Sequence, residues 1–381
     1  MDLDFSEEQR MLRDTVRGLC SRYSTPELVR AMEDDPAGYQ EDFWKQLASL
    51  GLLGLTLSQR WGGSQLSLID AAVVYEEFGR ALAPSPHFVS SMLCARALAL
   101  VGGDEHERSW LPALCAGEAI LTPAWLEPGN GFGARGVQMR ASVDGDGYRL
   151  DGEKYLVPYA SSATRLLVLV RSGDGDEDVD LLLVDPASDG IEMTQQFTLA
   201  ADNQYKVRFD DVRVPLSDRV GPELSGWATW NEVMHDGIIV VAAQAMGGAE
   251  RALEMTVQYA KEREQFDKPL GAFQAIAHYL ADAATAVDGG RTLVYQAAWA
   301  RSHERPVDRL APMAKLFACQ TFRDVTAMAE QVHGGLGFTV EYDIQLYFRR
   351  AKQLQLSWWD SRYLEELIAA AVLDRGREVA A

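Results

Sequence analysis

Cysteines, long apolar runs and paired metal ligands are scarce or missing in this sequence of 381 residues. The four cysteines stand far apart and show no paired ligand spacing, which favours reduced thiols in a cytoplasmic protein over a disulfide framework or a metal site. The longest apolar runs, such as residues 238–243, fall well below the roughly 20 residues that a membrane-spanning helix needs. The acidic N-terminus also lacks the charged-then-apolar pattern of an export signal.

Positively charged residues are also few compared with negatively charged ones. There are 36 lysines and arginines against 56 aspartates and glutamates, and the formal net charge is −20. Nucleic acid would be repelled over most of such a surface, and no basic run offsets this. An anionic ligand would therefore depend on local donors.

The length and the hydrophobic fraction of 47% are those of a globular chain with two or three domains. Residues 1–118 show helical periodicity, with a capping box predicted at Ser6 and Gln9. A second cap is predicted at Thr25, followed by Pro26 at the first helical position.

Residues 119–229 alternate short apolar segments with Gly- and Asp-rich loops, which predicts an antiparallel β domain. No strand–helix alternation occurs there, so a doubly wound nucleotide fold is excluded. Strands are predicted at residues 138–143, 148–157, 166–170, 179–184 and 205–209.

Residues 230–381 return to helical periodicity and predict a bundle of long helices, so the fold class is α+β. The first long helix is expected to reach about Arg263, and a helix to end at Pro269. Two more are expected to start near Phe273 and Pro306. The Gly289-Gly290 pair predicts a kink or a break.

Two motifs carry chemistry. In the first motif, the planar guanidinium of Arg263 offers several donors suited to a pyrophosphate, and Phe266 offers a flat face for a ring. The side-chain amide of Gln274 could reach the same ligand. The alternative is that Arg263 caps carbonyls and Phe266 fills the core. In the second, Gly334-Gly335 ends a helix beside Gln331 and leaves room for a ligand; the alternative there is a simple helix cap.

Several stretches occur in the order seen in acyl-CoA dehydrogenases, and the chain resembles that family over essentially its whole length. They are Asp-Phe-Ser-Glu-Glu-Gln-Arg at the start, Asp151-Gly-Glu-Lys154, Val207–Pro215, Lys261–Gln274 and Gln331–Arg350. The resemblance implies a helical, a β and a helical domain, and an FAD site that the C-terminal domain of a neighbouring subunit completes. By position, the adenine and pyrophosphate half of that FAD would contact Arg263, Phe266, Gln274, Gln331, Gly334 and Gly335.

The flavin-ring half departs from the family pattern. The family's aromatic-x-Thr segment, whose threonine binds the flavin ring, is replaced by Leu156-Val-Pro158. The family's Thr-Glu-Pro-x-x-Gly-Ser-Asp loop reads Leu126-Glu-Pro-Gly-Asn-Gly-Phe-Gly133, so that its threonine and its serine are both absent.

The catalytic base is also missing. The family needs a carboxylate that removes a proton next to a thioester, and its two known positions here hold Trp358 and Gly237. Asp236 and Asp360 are the weak candidates for a displaced base. The tryptophan pair 358–359 is expected to form a buried aromatic plug.

The pattern resembles the non-catalytic subunits of actinobacterial heterotetrameric acyl-CoA dehydrogenases that degrade sterol side chains. This predicts a chain, inactive alone, that completes the FAD site of a catalytic acyl-CoA dehydrogenase subunit acting on an acyl-CoA, with an electron-transfer flavoprotein as acceptor. Two alternatives remain open. The chain could be a self-sufficient, homo-oligomeric dehydrogenase or flavoprotein oxidase with a displaced base, or a flavin-free assembly subunit.

Overall fold

The computed structural model describes residues 4–373, which divide into two compact units. The helical unit comprises residues 4–29, 67–83 and 238–373, and the mixed unit comprises Arg30–Leu66 and Pro84–Gly237. The predicted domains 1–118, 119–229 and 230–381 cut the chain differently and stay a prediction.

The α-helices follow one another in this order: α1 (Glu7–Tyr23), α2 (Pro26–Ala31), α3 (Glu41–Ser49), α4 (Leu68–Arg80), α5 (Ala95–Val101), α6 (Gly103–Ala116), α7 (Gly226–Glu262), α8 (Gln274–Ser302), α9 (Leu310–His333), α10 (Ile344–Leu356) and α11 (Ser361–Leu373). A π-helix covers Phe88–Cys94.

The strands are β1 (Leu121–Ala124), β2 (Ala141–Asp144), β3 (Gly147–Pro158), β4 (Arg165–Arg171), β5 (Val179–Val184), β6 (Ile191–Gln195), β7 (Gln204–Pro215), β8 (Arg219–Val220), β9 (Glu264–Gln265) and β10 (Lys268–Pro269).

The helical unit is built around α4 and α7 to α9. Glycines let α4 and α7 cross closely: a Cβ on Gly79 would lie 1.9 Å from the Gln244 carbonyl oxygen, and one on Gly247 would lie 1.9 Å from that of Glu76. The predicted capping box of α1 is confirmed, with the Ser6 hydroxyl accepting from the Gln9 amide and the Gln9 side chain accepting from Ser6.

Two sheets make up the core of the mixed unit. One has the order β2-β3-β7-β6 and is antiparallel throughout, while the other has the order β1-β4-β5-β8. The predicted antiparallel domain is therefore confirmed in outline, but β1 pairs with β4 in parallel. The inward-facing residues of both sheets, such as Leu150, Val168 and Val207, are fully buried in one hydrophobic cluster.

The prediction of a helix that ends at Pro269 is wrong. Helix α7 stops at Glu262, and β9 and β10 form a short hairpin behind it. Phe266 and Asp267 join these strands with φ angles of 54° and 63°, the left-handed conformations that a tight hairpin turn requires. A helix cannot continue through two such residues.

Of the predicted kink or break at Gly289-Gly290, the break is wrong, because α8 continues without interruption from Gln274 to Ser302. Packing explains one of the two glycines. A Cβ on Gly290 would lie 2.3 Å from the Met246 sulfur, whereas one on Gly289 would meet nothing within 4 Å.

Candidate functional site

Arg263 lies just after the end of α7 with its backbone held on both sides. Its amide donates to the Tyr259 carbonyl, and its carbonyl accepts from the Leu270 amide, both at 2.8 Å. Its side chain is exposed and forms no ion pair or hydrogen bond within residues 4–373. The backbone of Arg263 is therefore held in place, and its guanidinium is available to an external anion.

Phe266 stands at the tip of the β9–β10 hairpin and is 86% exposed. The alternative that it fills the core is therefore wrong. Its ring packs edge to face on Phe273, with the centroids 6.2 Å apart. Gln274, the first residue of α8, is exposed beside this pair. A flat apolar face of this kind next to an arginine suits a heteroaromatic ring that carries phosphate.

The second motif lies at the end of α9, which stops at His333 as predicted. Gly334 has a φ of 62° and a ψ of −137°, a conformation that favours glycine. A Cβ on Gly334 or on Gly335 would meet no atom of the chain within 4 Å, and Gln331 is exposed on the preceding turn. The space around this turn is open to a ligand.

The structure brings the two motifs together. The Tyr259 ring, one turn before Arg263, stacks on the His333 ring next to Gly334, with the centroids 4.4 Å apart. We call Arg263, Phe266, Gln274, Gln331, Gly334 and Gly335 the clasp.

Two buried acceptors lie beneath the glycine turn, and sequence reasoning did not identify them as acceptors. The His333 Nδ1 donates to the Ala329 carbonyl at 2.8 Å, so Nε2 carries the lone pair, and no donor reaches it within the described residues. Burial lowers the pKa of His333 and raises that of Glu330, whose carboxyl oxygens also lack a partner there. Glu330 packs under the turn, since a Cβ on Gly337 would lie 2.4 Å from its Oε2.

The first base position holds no carboxylate. Trp359 is fully buried and packs edge to face on Tyr363, while Trp358 is only partly buried, so the predicted plug consists of one fully buried and one partly buried ring. The nearest carboxylate, Asp360, accepts from the Tyr363 amide at 2.9 Å and so caps the start of α11.

The second base position, Gly237, is crowded by a neighbouring side chain. A Cβ there would lie 2.7 Å from Leu93 Cδ2, and Leu93 is fully buried. The adjacent Asp236 is 4% exposed, and its Oδ2 is 3.2 Å from the Nε of Arg96. The Asp236 carboxylate is therefore buried and already engaged by a guanidinium.

The segment that replaces the family's aromatic-x-Thr has no hydroxyl to offer. Leu156 adopts a φ of 50°, and its amide donates to the Gln196 side chain at 2.9 Å. The Pro158 carbonyl accepts from the Thr122 hydroxyl.

The loop of residues 126–133 is anchored by a buried ion pair. Lys154 is fully buried, and its Nζ lies 2.7 Å from Glu127 Oε1. The same carboxylate accepts from the backbone amides of Gln138 and Met139. Burial lowers the pKa of Lys154 to about 8, although Glu127 opposes the shift.

An aromatic cluster is attached to this loop. Phe132, which stands where the family has serine, packs on Trp125, and Trp125 packs on Trp230, with centroid distances of 5.9 and 5.3 Å. Trp125 and Trp230 are almost completely buried. An apolar ring, that of Phe132, therefore stands where the family pattern has a serine.

No cluster of three or more His, Cys, Asp or Glu side chains that could hold a metal ion occurs among residues 4–373. In the same range, no helix has the length and apolar character needed to cross a membrane.

Family models cover nearly all of the described chain. The N-terminal domain of acyl-CoA dehydrogenases matches residues 6–118, the middle domain residues 123–212, and the C-terminal domain residues 225–373. The chain belongs to the acyl-CoA dehydrogenase family. Membership confirms the predicted α+β fold with its helical, antiparallel β and helical regions, and it supports the assignment to flavoprotein oxidoreductases.

Similar proteins agree with this assignment. This acyl-CoA dehydrogenase chain is 31% identical to the probable acyl-CoA dehydrogenase YngJ of Bacillus subtilis, over 98% of the chain and 100% of YngJ. The ChsE4-ChsE5 complex from Mycobacterium tuberculosis superimposes with a TM-score of 0.87 at 29% identity, over 100% of this chain and 99% of that one. The steroid ACAD Tcur3481-Tcur3483 gives a TM-score of 0.86 at 31% identity, over 98% and 99% of the two chains.

Proposed function

We propose that this chain is a base-lacking acyl-CoA dehydrogenase subunit that completes the FAD site of a catalytic partner subunit. The complex would oxidise an acyl-CoA to its 2-enoyl-CoA, and the isolated chain would be inactive. The observation that carries the proposal is an asymmetry. The exposed side chains of Arg263, Gln274 and Gln331 form no hydrogen bond or ion pair within residues 4–373, whereas both base positions lack a carboxylate.

The clasp fits the adenine and pyrophosphate half of FAD. Arg263 supplies an exposed bidentate donor for phosphate, and Phe266 supplies an exposed face for a ring. The open turn at Gly334 and Gly335 lets a ligand approach the backbone closely. In this family, FAD accepts hydride from the acyl chain.

The flavin-ring half of this chain does not fit the same cofactor. Leu156 and Pro158 offer no hydroxyl, and Phe132 takes part in the cluster with Trp125 and Trp230. These features support one FAD for each pair of unlike chains, held by the partner's β domain and this chain's clasp.

The base must then come from the partner. Asp236 is paired with Arg96, and Asp360 caps α11, so both carboxylates already have structural partners in this chain. Loss of a general base costs about 10²–10⁴ in rate.

The partner class is proposed from the neighbours. ChsE4-ChsE5 is a complex of two named chains, and Tcur3481-Tcur3483 is called a steroid ACAD. By similarity we propose a heterotetramer in steroid degradation, with an electron-transfer flavoprotein as acceptor and a cytoplasmic location.

The test is to produce the chain with and without a dehydrogenase-like partner and to measure bound flavin and acyl-CoA oxidation. We expect a flavin-containing mixed complex that loses most of its FAD when Arg263→Ala is introduced. Arg362→Ala is the matched control, because Arg362 is an exposed arginine on α11 that pairs with Glu366 one turn along the same helix.

Other outcomes identify the alternatives. A yellow, active single chain would support the self-sufficient dehydrogenase or oxidase. A mixed complex without flavin would support the assembly subunit.

A further inference from the structure

The turn that contains the first base position is conformationally strained. Trp358 and Trp359 have φ angles of 54° and 71°, one directly after the other. This left-handed region is sterically unfavourable for a bulky residue, and here two such residues follow one another. Something in the surrounding structure must therefore hold the turn.

A buried lysine donates hydrogen bonds to the backbone at this turn. Lys315 on α9 is fully buried, and its Nζ donates to the Leu354 carbonyl at 3.0 Å and to the Trp359 carbonyl at 2.8 Å. These two oxygens lie on either side of Trp358 in the sequence. Cys319, one turn further along α9, directs its sulfur to the Leu354 carbonyl at 3.5 Å.

The two tryptophans of this turn lie in different surroundings. Trp359 is fully buried and packs on Tyr363, while Trp358 is turned partly toward solvent. Carbonyl oxygens are good partners for a buried ammonium, and an ammonium left without them would be costly. The stabilisation is mutual. The ammonium of Lys315 needs the carbonyl oxygens as hydrogen-bond acceptors, and the turn needs Lys315 to hold its conformation.

We propose that Lys315 is a positioning residue that locks the turn of residues 357–360 and so fixes the direction of the side chain at position 358. This inference deepens the proposed function, since 358 is the base position that the chain has emptied. In a chain with glutamate at position 358, the same lysine would orient the side chain of the base. In this chain it orients a tryptophan side chain.

Oxidation of tryptophan by N-bromosuccinimide, located by peptide mass spectrometry, tests the proposal on the isolated chain. It needs neither FAD nor a partner, so its failure is independent of the proposed function. In the unaltered chain, Trp358 should be oxidised readily, and the fully buried Trp359 and Trp230 should be protected. In Lys315→Met, we expect Trp359 to be oxidised at least about tenfold faster through local opening, with Trp230 still protected.

Lys154→Met is the matched control, because Lys154 is also fully buried but anchors a loop in the mixed unit. It should leave the contrast between Trp358 and Trp359 unchanged. A folded Lys315→Met protein with Trp359 as protected as before would overturn the proposal. So would the same loss of protection in both lysine variants.

A second variant decides the matter if Lys315→Met does not fold. Glycine adopts a positive φ without strain, so Trp358→Gly should reduce the need for the lysine. Recovery of folded protein in the double variant Lys315→Met, Trp358→Gly supports the proposal, and no recovery overturns it.

Discussion

Gly237 offers a direct test of whether the second base position is closed. In Gly237→Ala, the added methyl carbon would lie 2.7 Å from Leu93 Cδ2 and 3.5 Å from Phe88 Cζ. Replacing glycine by alanine in a helix stabilises by up to about 1 kcal/mol. Overpacking a buried site costs about 1–3 kcal/mol. Because Leu93 is fully buried and cannot move away freely, the cost of overpacking should exceed the gain from alanine. We expect the free energy of unfolding to fall by about 1 kcal/mol.

Gly289→Ala is the control for this prediction. Gly289 is also inside a helix, α8, but a methyl group there meets nothing within 4 Å. We expect it to stabilise by about 0.5–1 kcal/mol. The free energies of unfolding are measured by urea denaturation followed by circular dichroism. In a Leu93→Ala background, which removes the obstacle, Gly237→Ala should change sign.

Equal changes in the free energy of unfolding for Gly237→Ala and Gly289→Ala would refute the reasoning. The crowding at Gly237 would then not affect stability. A loss that persists in the Leu93→Ala background would contradict it as well. If the prediction holds, a larger glutamate at 237 meets the same obstacle, and this position cannot regain a base without repacking.

Two other buried groups give predictions. The His87 Nε2 donates to the Leu52 carbonyl at 2.9 Å, and burial lowers the pKa of His87 from 6.5 to about 4. Since the unfolded chain takes up this proton at the higher pH, stability is lost as the pH falls from 6.5 towards 4. His87→Gln should remove about 3 kcal/mol of that loss, and parallel pH–stability curves for the two proteins would contradict this. Lys154→Met leaves Glu127 buried without its cation and should cost about 3–5 kcal/mol in urea denaturation. Adding Glu127→Gln should recover part of it, and strictly additive losses would show that the pair is not coupled.

The extent of structure predictable from the sequence differs from element to element. Helices α7, α8 and α9 were predictable, because long helices packed in a bundle leave a strong period in their apolar residues. The β9–β10 hairpin was not, since Phe266-Asp267 carries none of the usual Asn-Gly turn signals. The parallel partner of β1 could not be predicted either, because it lies far along the chain.

The candidate site was predictable where a motif is local and not where it depends on long-range partners. The clasp lies in two short stretches, and the Tyr259–His333 contact brings them together. The role of Lys315 could not be read from the sequence, because its acceptors lie 39 and 44 residues away. The Lys154–Glu127 pair spans 27 residues in the same way.

The flavin content of the mixed complex tests the central claim most directly. The chain is produced with a base-bearing partner, and bound FAD is counted against both polypeptides. If this chain supplies a clasp but no flavin-ring site of its own, the count is one FAD for each pair of unlike chains. One FAD for every chain would contradict the account.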